Sequence, residues 1–190
     1  AGTSFEQYEN VFFSPDLSFA WEDIEVDSTA STAIKKMEGN FFNADLEYAI
    51  TVDKRNQPFK PTRGHRVSFV QSLPIVQDSS SIKNGLDISG YNDFSEDLIG
   101  SLKFYARSIH GIDDDVRLTN RLRLSENNLR GFNIKKVGPK DGDNYIGGNF
   151  ITSIGYEAQL PNLLPEATKT DISVFIDTAN VWSIDYDETL

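Results

Sequence analysis

The stretch Phe41 to Asp53, FFNADLEYAITVD, alternates with a period of two. Its even positions are Phe42, Ala44, Leu46, Tyr48, Ile50 and Val52. Its odd positions are Phe41, Asn43, Asp45, Glu47, Ala49, Thr51 and Asp53. Successive side chains of a strand point to opposite faces, so this is a strand with one apolar and one mostly polar face. The run also matches the ~9–11 residues with which a tilted strand crosses a bilayer.

The same rhythm recurs along the chain. Leu17, Phe19 and Trp21 share a face in DLSFAWEDIEV, as do Val67, Phe69, Leu73 and Ile75 in HRVSFVQSLPIV, where Gln71 is the exception. NGLDISGYNDF sets Leu86 and Ile88 against Asp87, Ser89 and Asp93. LIGSLKFYARSI sets Leu98, Leu102, Phe104 and Ala106 against Ser101, Lys103 and Arg107. GNFITSIGYEAQL sets Phe150, Ile154, Tyr156, Ala158 and Leu160 against Asn149, Ser153, Glu157 and Gln159. TDISVFIDTANVW sets Ile172, Val174, Ile176 and Trp182 against Asp171, Ser173 and Asp177, with Phe175 and Val181 breaking the polar face. The pattern predicts about seven strands in a meander, joined alternately by short and long connections. Short ones are the span near Phe94 to Leu98 and PNLLPEATK. Long ones are Asp27 to Asn40, where IKKMEGN suits a helical turn, and His110 to Gly148.

Composition bounds the class. The chain has 190 residues, 38% hydrophobic and 12% aromatic, with a formal net charge of -11. Thirteen Phe, seven Tyr and two Trp are ample for a packed structure, which argues against disorder. The acidic balance argues against a nucleic-acid partner, because phosphate binding needs a basic face. No cysteine is present, which removes disulfides and thiolate metal sites. No run approaches a membrane-spanning helix, but alternation cancels in hydropathy averages, so a membrane β-barrel stays open. A soluble β-sandwich binding module also alternates. Two details favour the membrane. Aromatics gather near strand ends (Tyr8, Phe12, Phe13, Trp21, Tyr156, Trp182), as interfacial girdles do. Asp45, Glu47, Lys103, Arg107, Glu157 and Asp177 are also too polar for a sandwich core, whereas a wide lumen solvates or pairs them.

Single-chain bacterial barrels have at least ~8 strands in even number. Seven would leave bare edges in lipid. Together with an end at DYDETL, in polar sequence, this leads us to expect an internal piece of a longer barrel.

The longest loop holds NNLRGF, Asn127 to Phe132, an arginine between two large apolar residues beside a glycine. LRGF, then VGPK at Val137 to Lys140, then GGN at Gly147 to Asn149, resembles the sixth extracellular loop of BamA-type outer-membrane assembly factors, in the bacterial surface antigen superfamily of β-barrel insertases. VFIDTANVW at Val174 to Trp182 and the turn DKRNQPFKPTRG at Asp53 to Gly64 resemble further parts of that family, in the same order. This sequence departs from the pattern at Ala179, where the family has glycine.

The resemblance implies an all-β, antiparallel up-and-down transmembrane β-barrel. Residues 1–190 would form a partial outer-membrane β-barrel domain, strands seven to thirteen of about sixteen, without the periplasmic domains and terminal strands. It implies a non-enzymatic role in assembling and inserting β-barrel proteins into the bacterial outer membrane, with no cofactor. Unfolded outer-membrane protein clients, outer-membrane lipids and lipopolysaccharide, and accessory assembly lipoproteins would be the partners. A two-partner secretion transporter of the same superfamily is the alternative task. The family's loop folds into the lumen and its arginine pairs with acids on the wall, so Arg130 is expected to meet Glu157 and Asp177. Period alone already puts both acids on polar faces. A guanidinium holds two carboxylates at once. Gly131 lets the backbone turn and approach the wall, while Leu129 and Phe132 wedge against apolar lumen residues such as Phe175.

Other motifs carry less. DGDN at Asp141 to Asn144 and DDD at Asp113 to Asp115 lack the ligand series and closing Glu of a calcium loop and read as surface acidic loops. His65 and His110 have no zinc-ligand spacing, so no metal site is proposed. No G-x-S-x-G elbow occurs. Glu22 and Asp23 fall on opposite faces of a strand and cannot act as a pair. GGN lacks the Lys and Ser/Thr of a phosphate loop.

Overall fold

The computed structural model describes residues 1–30, 35, 37–78, 80–164 and 170–185. The long strands are β2 (Val11–Ile24), β3 (Gly39–Asp53), β4 (Gly64–Gln77), β5 (Ser81–Ser95), β6 (Leu98–Gly111), β9 (Phe150–Leu160) and β10 (Ile172–Trp182). A four-residue strand, β1 (Phe5–Tyr8), precedes them, and a hairpin of β7 (Lys140–Asp141) and β8 (Asn144–Tyr145) lies in the longest loop. One antiparallel sheet runs in the order β1-β2-β3-β4-β5-β6-β9-β10. All seven expected strands are present. The eighth was missed because FEQY is too short to show a period.

Register assigns the faces. Ile50 lies opposite Phe69, and Phe69 opposite Leu86; Leu102 lies opposite Tyr156, and Tyr156 opposite Ile176. These rows form an exposed apolar surface with Leu17, Phe19 and Trp21. On the other face Ser68 lies opposite Thr51 and Asp87, and the Thr51 and Ser68 hydroxyls are bonded at 2.8 Å. The two faces suit lipid outside and a polar lumen inside. At the end bearing the longest loop, Trp21 meets Phe42 and His110 meets Phe150, which stacks on Trp182. At the other end Phe5 packs edge-on against Phe13.

Two irregularities have local causes. Asp45 pairs with Pro74 while Ala44 pairs with Val76, so Ile75 is the extra residue of a bulge. Proline cannot donate to the ladder, and a bulge beside it absorbs the fault. Beyond it Val76, rather than Ile75, takes up the outer-face row of Ala44. Gln71, the polar exception on the outer face, accepts from the Tyr48 hydroxyl at 2.7 Å and donates to Asn84 Oδ1 at 2.6 Å. Asn84 continues to Ser108 at 3.4 Å, so polar groups facing lipid satisfy one another.

The connections alternate less strictly than expected. The connections 25–38 and 112–149 are long, but at the same end only three residues, 78–80, separate β4 from β5. The opposite end carries the ten-residue turn 54–63. Parts of the IKKMEGN and PNLLPEATK segments and nearly all of the DYDETL end lie outside the described residues. DGDN is a hairpin turn: Asp141 pairs with Asn144 across Gly142 and Asp143.

Substituting Ile154→Arg, in the middle of β9 on the apolar face, should cost about 2–4 kcal/mol of stability in lipid vesicles. Ser89→Gln, on the inner face, should cost under about 1 kcal/mol. Urea unfolding of the full-length protein checks both, and equal costs would mean the faces are misassigned.

Candidate functional site

The 112–149 loop folds back over the inner face as a chain of short turns. Leu122 and Gly148 exchange backbone bonds of 2.8 and 3.0 Å at its neck. Asn149 donates its backbone N–H to the carbonyls of Trp182 and Ser183, tying that neck to the end of β10. A Cβ on Gly148 would sit 2.5 Å from the Trp182 carbonyl oxygen, so the GGN segment packs where no side chain fits. Asn128 donates to the Ser125 carbonyl at 3.0 Å, and the short 3-10 helix Ile134–Lys136 is capped by the Asn133 side chain.

These turns deliver Arg130 to the wall. Its Nε donates to Asp177 Oδ2 at 2.7 Å and its Nη2 to Asp177 Oδ1 at 2.8 Å. Its Nη1 donates to Glu157 Oε2 at 2.8 Å, and its backbone N–H reaches Asp177 Oδ2 at 3.1 Å. All three guanidinium nitrogens therefore have a carboxylate partner. The guanidinium also lies 3.6 Å from the ring centroid of Phe175. The wall builds this seat by register: Phe175 is directly opposite Glu157 and Asp177 directly opposite Gly155. A Cβ on Gly155 would come 3.0 Å from Asp177 Oδ1, so a hydrogen there leaves room for the carboxylate. The Asp177 side chain is 4% exposed, against 14% for Glu157 and 30% for Arg130. The bonds to Asp177, and then the one to Glu157, raise the Arg130 pKa well above arginine's ordinary value, so the cation persists at every accessible pH.

The flanking residues divide. Leu129 is buried with Leu124, Ile151 and Val181, against Tyr105 and Ala179. Ala179, the departure from the family pattern, thus gives its methyl to the packing under the loop. Phe132 does not wedge into the lumen; it is 65% exposed. Phe175 serves Arg130 and is absent from the cluster around Leu129. Gly131 has a φ of 80°, which suits glycine, but nothing among the described residues lies within 4 Å of an added Cβ. It supplies the turn and not a close approach to the wall.

Sequence reasoning missed Gly155, and also Asn128, which donates to Ser153 Oγ at 3.3 Å. The only signal for Gly155 was a small residue on the polar face of the strand beside VFID. Elsewhere on the inner wall Arg107 crosses Gly85 to reach Asp87 at 2.7 Å. A cavity of about 470 Å³ remains beside the site, lined by Arg66, Lys103, Asp87, Tyr105 and Arg130 among others. At the opposite end, turn 54–63 crosses the sheet, and Lys60 pairs with Asp171, just before β10, at 2.7 Å.

A family model described as the Omp85 superfamily domain matches residues 2–189. The chain belongs to the Omp85 superfamily. Its similar relatives include a human Sorting and assembly machinery component 50 homolog, 27% identical over 137 residues, which cover 70% of this chain and 29% of that protein. The Outer membrane protein assembly factor BamA of Neorickettsia risticii is 26% identical over 166 residues, covering 85% of this chain and 22% of the relative. The chain thus spans less than a third of either curated relative. Among solved structures, the crystal structure of BamA from Haemophilus ducreyi lacking POTRA domains 1-3 superposes with a TM-score of 0.79 at 20% identity, over 96% of this chain and 41% of that one. That likeness establishes the fold: the Omp85 sheet is a sector of a transmembrane β-barrel wall, with a loop seated on its inner face.

Removing one member of such a cluster leaves the others' charge uncompensated. Asp177→Ala should destabilise the full-length Omp85 barrel by about 3 kcal/mol. Glu157→Ala, with a single bond to Arg130, should cost about 1.5 kcal/mol. Phe132→Ala should stay within about 0.5 kcal/mol. Urea titration with a folded-band gel readout ranks the three; Phe132 ranking first would show that packing rather than charge holds the loop.

Proposed function

We propose that the full-length protein containing this chain is an insertase that assembles β-barrel proteins and inserts them into a bacterial outer membrane. Residues 1–190 are part of its barrel domain, and the loop of residues 112–149, which begins two residues later than the His110 to Gly148 span because β6 runs to Gly111, lies in the lumen. It makes and breaks no covalent bond. Its work is to lower the barrier for unfolded outer-membrane protein clients to enter the bilayer, by offering strand edges and disturbing the lipid and lipopolysaccharide around it. Accessory assembly lipoproteins act with it. Superfamily membership and the name of the bacterial relative, an outer membrane assembly factor, support this reading.

The observation that carries the role of this segment is the seating of Arg130 on Asp177 and Glu157. Leu129, Arg130, Gly131 and Phe132 form the loop element, and Glu157 and Asp177 its partners on the wall. An insertase must keep its own wall intact while its lipid surroundings are disturbed. A cation held by two neighbouring strands and carried on a covalently attached loop braces that wall from within.

Charge reversal in the full-length protein tests the role. Arg130→Glu and Asp177→Arg should each reduce client assembly into vesicles by roughly tenfold, the change that ~1.4 kcal/mol makes. The double reversal should recover part of the loss. If neither single reversal lowers barrel stability or client assembly, the role is wrong. Export of one soluble polypeptide without barrel assembly would instead identify a two-partner secretion transporter.

A further inference from the structure

The 112–149 loop meets the wall a second time, at Arg117. The Arg117 side chain is 4% exposed. Its Nη2 donates to Asn43 Oδ1 at 2.8 Å, its guanidinium lies 4.1 Å from the ring centroid of Phe41, and its Nη1 is 3.8 Å from Glu22 Oε2. Thr119 donates its hydroxyl to the same Glu22 oxygen at 3.0 Å.

The second place repeats the design of the first. Glu22 on β2 is directly opposite Phe41 on β3, as Glu157 on β9 is directly opposite Phe175 on β10. In each case the third partner lies two residues beyond the phenylalanine on the same inner face: Asn43 after Phe41, Asp177 after Phe175. Each seat is thus a cross-strand Glu–Phe pair with an Asx at the next inward position, and each holds one arginine of the same loop. β3 runs away from the end bearing this loop and β10 runs towards it, so the two seats point in opposite senses along the wall.

We propose that Arg117 is a second positioning residue, and that the loop is a strut whose two seated arginines anchor it separately, Arg117 on β2–β3 and Arg130 on β9–β10. The two anchors are unequal. Asp177 grips Arg130 through two oxygens, whereas Asn43 offers a neutral amide and Glu22 stands beyond hydrogen-bond distance. Among the described residues, Nε and Nη1 of Arg117 have no hydrogen-bond partner although they are buried. A buried cation held by one short bond is poorly compensated. The β2–β3 anchor is therefore the weaker of the two, although Val116 also donates its backbone N–H to Asp185 Oδ2 at 2.6 Å. The strut is a property of the lumen and does not depend on the task of the barrel.

Amide hydrogen exchange of the full-length protein in lipid nanodiscs tests this, segment by segment. In the wild type, residues 116–121 should exchange faster than residues 129–131. Arg117→Gln should accelerate exchange across 116–121 by roughly tenfold or more and leave 129–131 unchanged. Glu22→Gln, a milder change, should act on the same segment in the same direction, and it carries the test if Arg117→Gln does not fold. Equal acceleration of both segments would show one cooperative loop and overturn the two-anchor proposal. Unchanged exchange at 116–121 in the folded variants would overturn it equally.

Discussion

The arrangement depends on a positive charge that a loop carries to two negative charges on neighbouring strands. A barrel wide enough to hold water tolerates acids on its inner wall, but Asp177 is almost wholly covered and its charge must be answered. A lysine on the wall would offer one point charge. An arginine offers a planar fork that takes Asp177 side-on and still reaches Glu157. The adjacent phenylalanine provides a flat floor for that plane, and the missing side chain at Gly155 leaves the space in which the carboxylate turns. Register brings the four wall residues together, because the period of two places Glu157, Phe175, Gly155 and Asp177 on one face.

That seat also accounts for the shape of the loop. Nearly forty residues without a long helix or strand would ordinarily cost much conformational entropy. Here the cost is shared among local turns, a capped 3-10 turn, the hairpin at Asp141 to Asn144 and a small apolar cluster under Leu129. The repeated Glu–Phe–Asx seat at the other side of the sector puts a second arginine of the same loop, Arg117, on a distant part of the wall. Residues 43 and 177 are far apart in sequence, and the loop is what joins them.

The period of two was enough to find every long strand and to sort the inner residues from the outer ones, because a single slip would move a whole strand's apolar set to the wrong face. It failed where local chemistry interrupts it. Pro74 forces a bulge, after which Ile75 and Val76 change places. Gln71 broke the apolar face because its partners, Tyr48 and Asn84, lie on other strands. The pairing of Arg130 with Glu157 and Asp177 was legible through resemblance, with both acids already on polar faces. The fates of Phe132 and Phe175 were not. Both are phenylalanines close to the site, and only the direction of the turn at Gly131 leaves the first in solvent while the second lies under the guanidinium. Arg117 was invisible for a different reason. Its partners Glu22, Phe41 and Asn43 precede it by more than seventy residues and belong to strands whose polar faces carry many acids.

Two fastenings on the inner side of this sector differ in their exposure to water. The seat of Arg130, midway along β9 and β10, is held by sheltered charges, with the Asp177 side chain 4% exposed. The crossing turn is tied by Lys60 and Asp171, side chains that are 68% and 51% exposed. Dissolved salt weakens exposed pairs far more than covered ones. Rising ionic strength therefore loosens the clasp on the crossing turn while the clasp on Arg130 keeps its grip, so the two fastenings of one wall answer differently to brine.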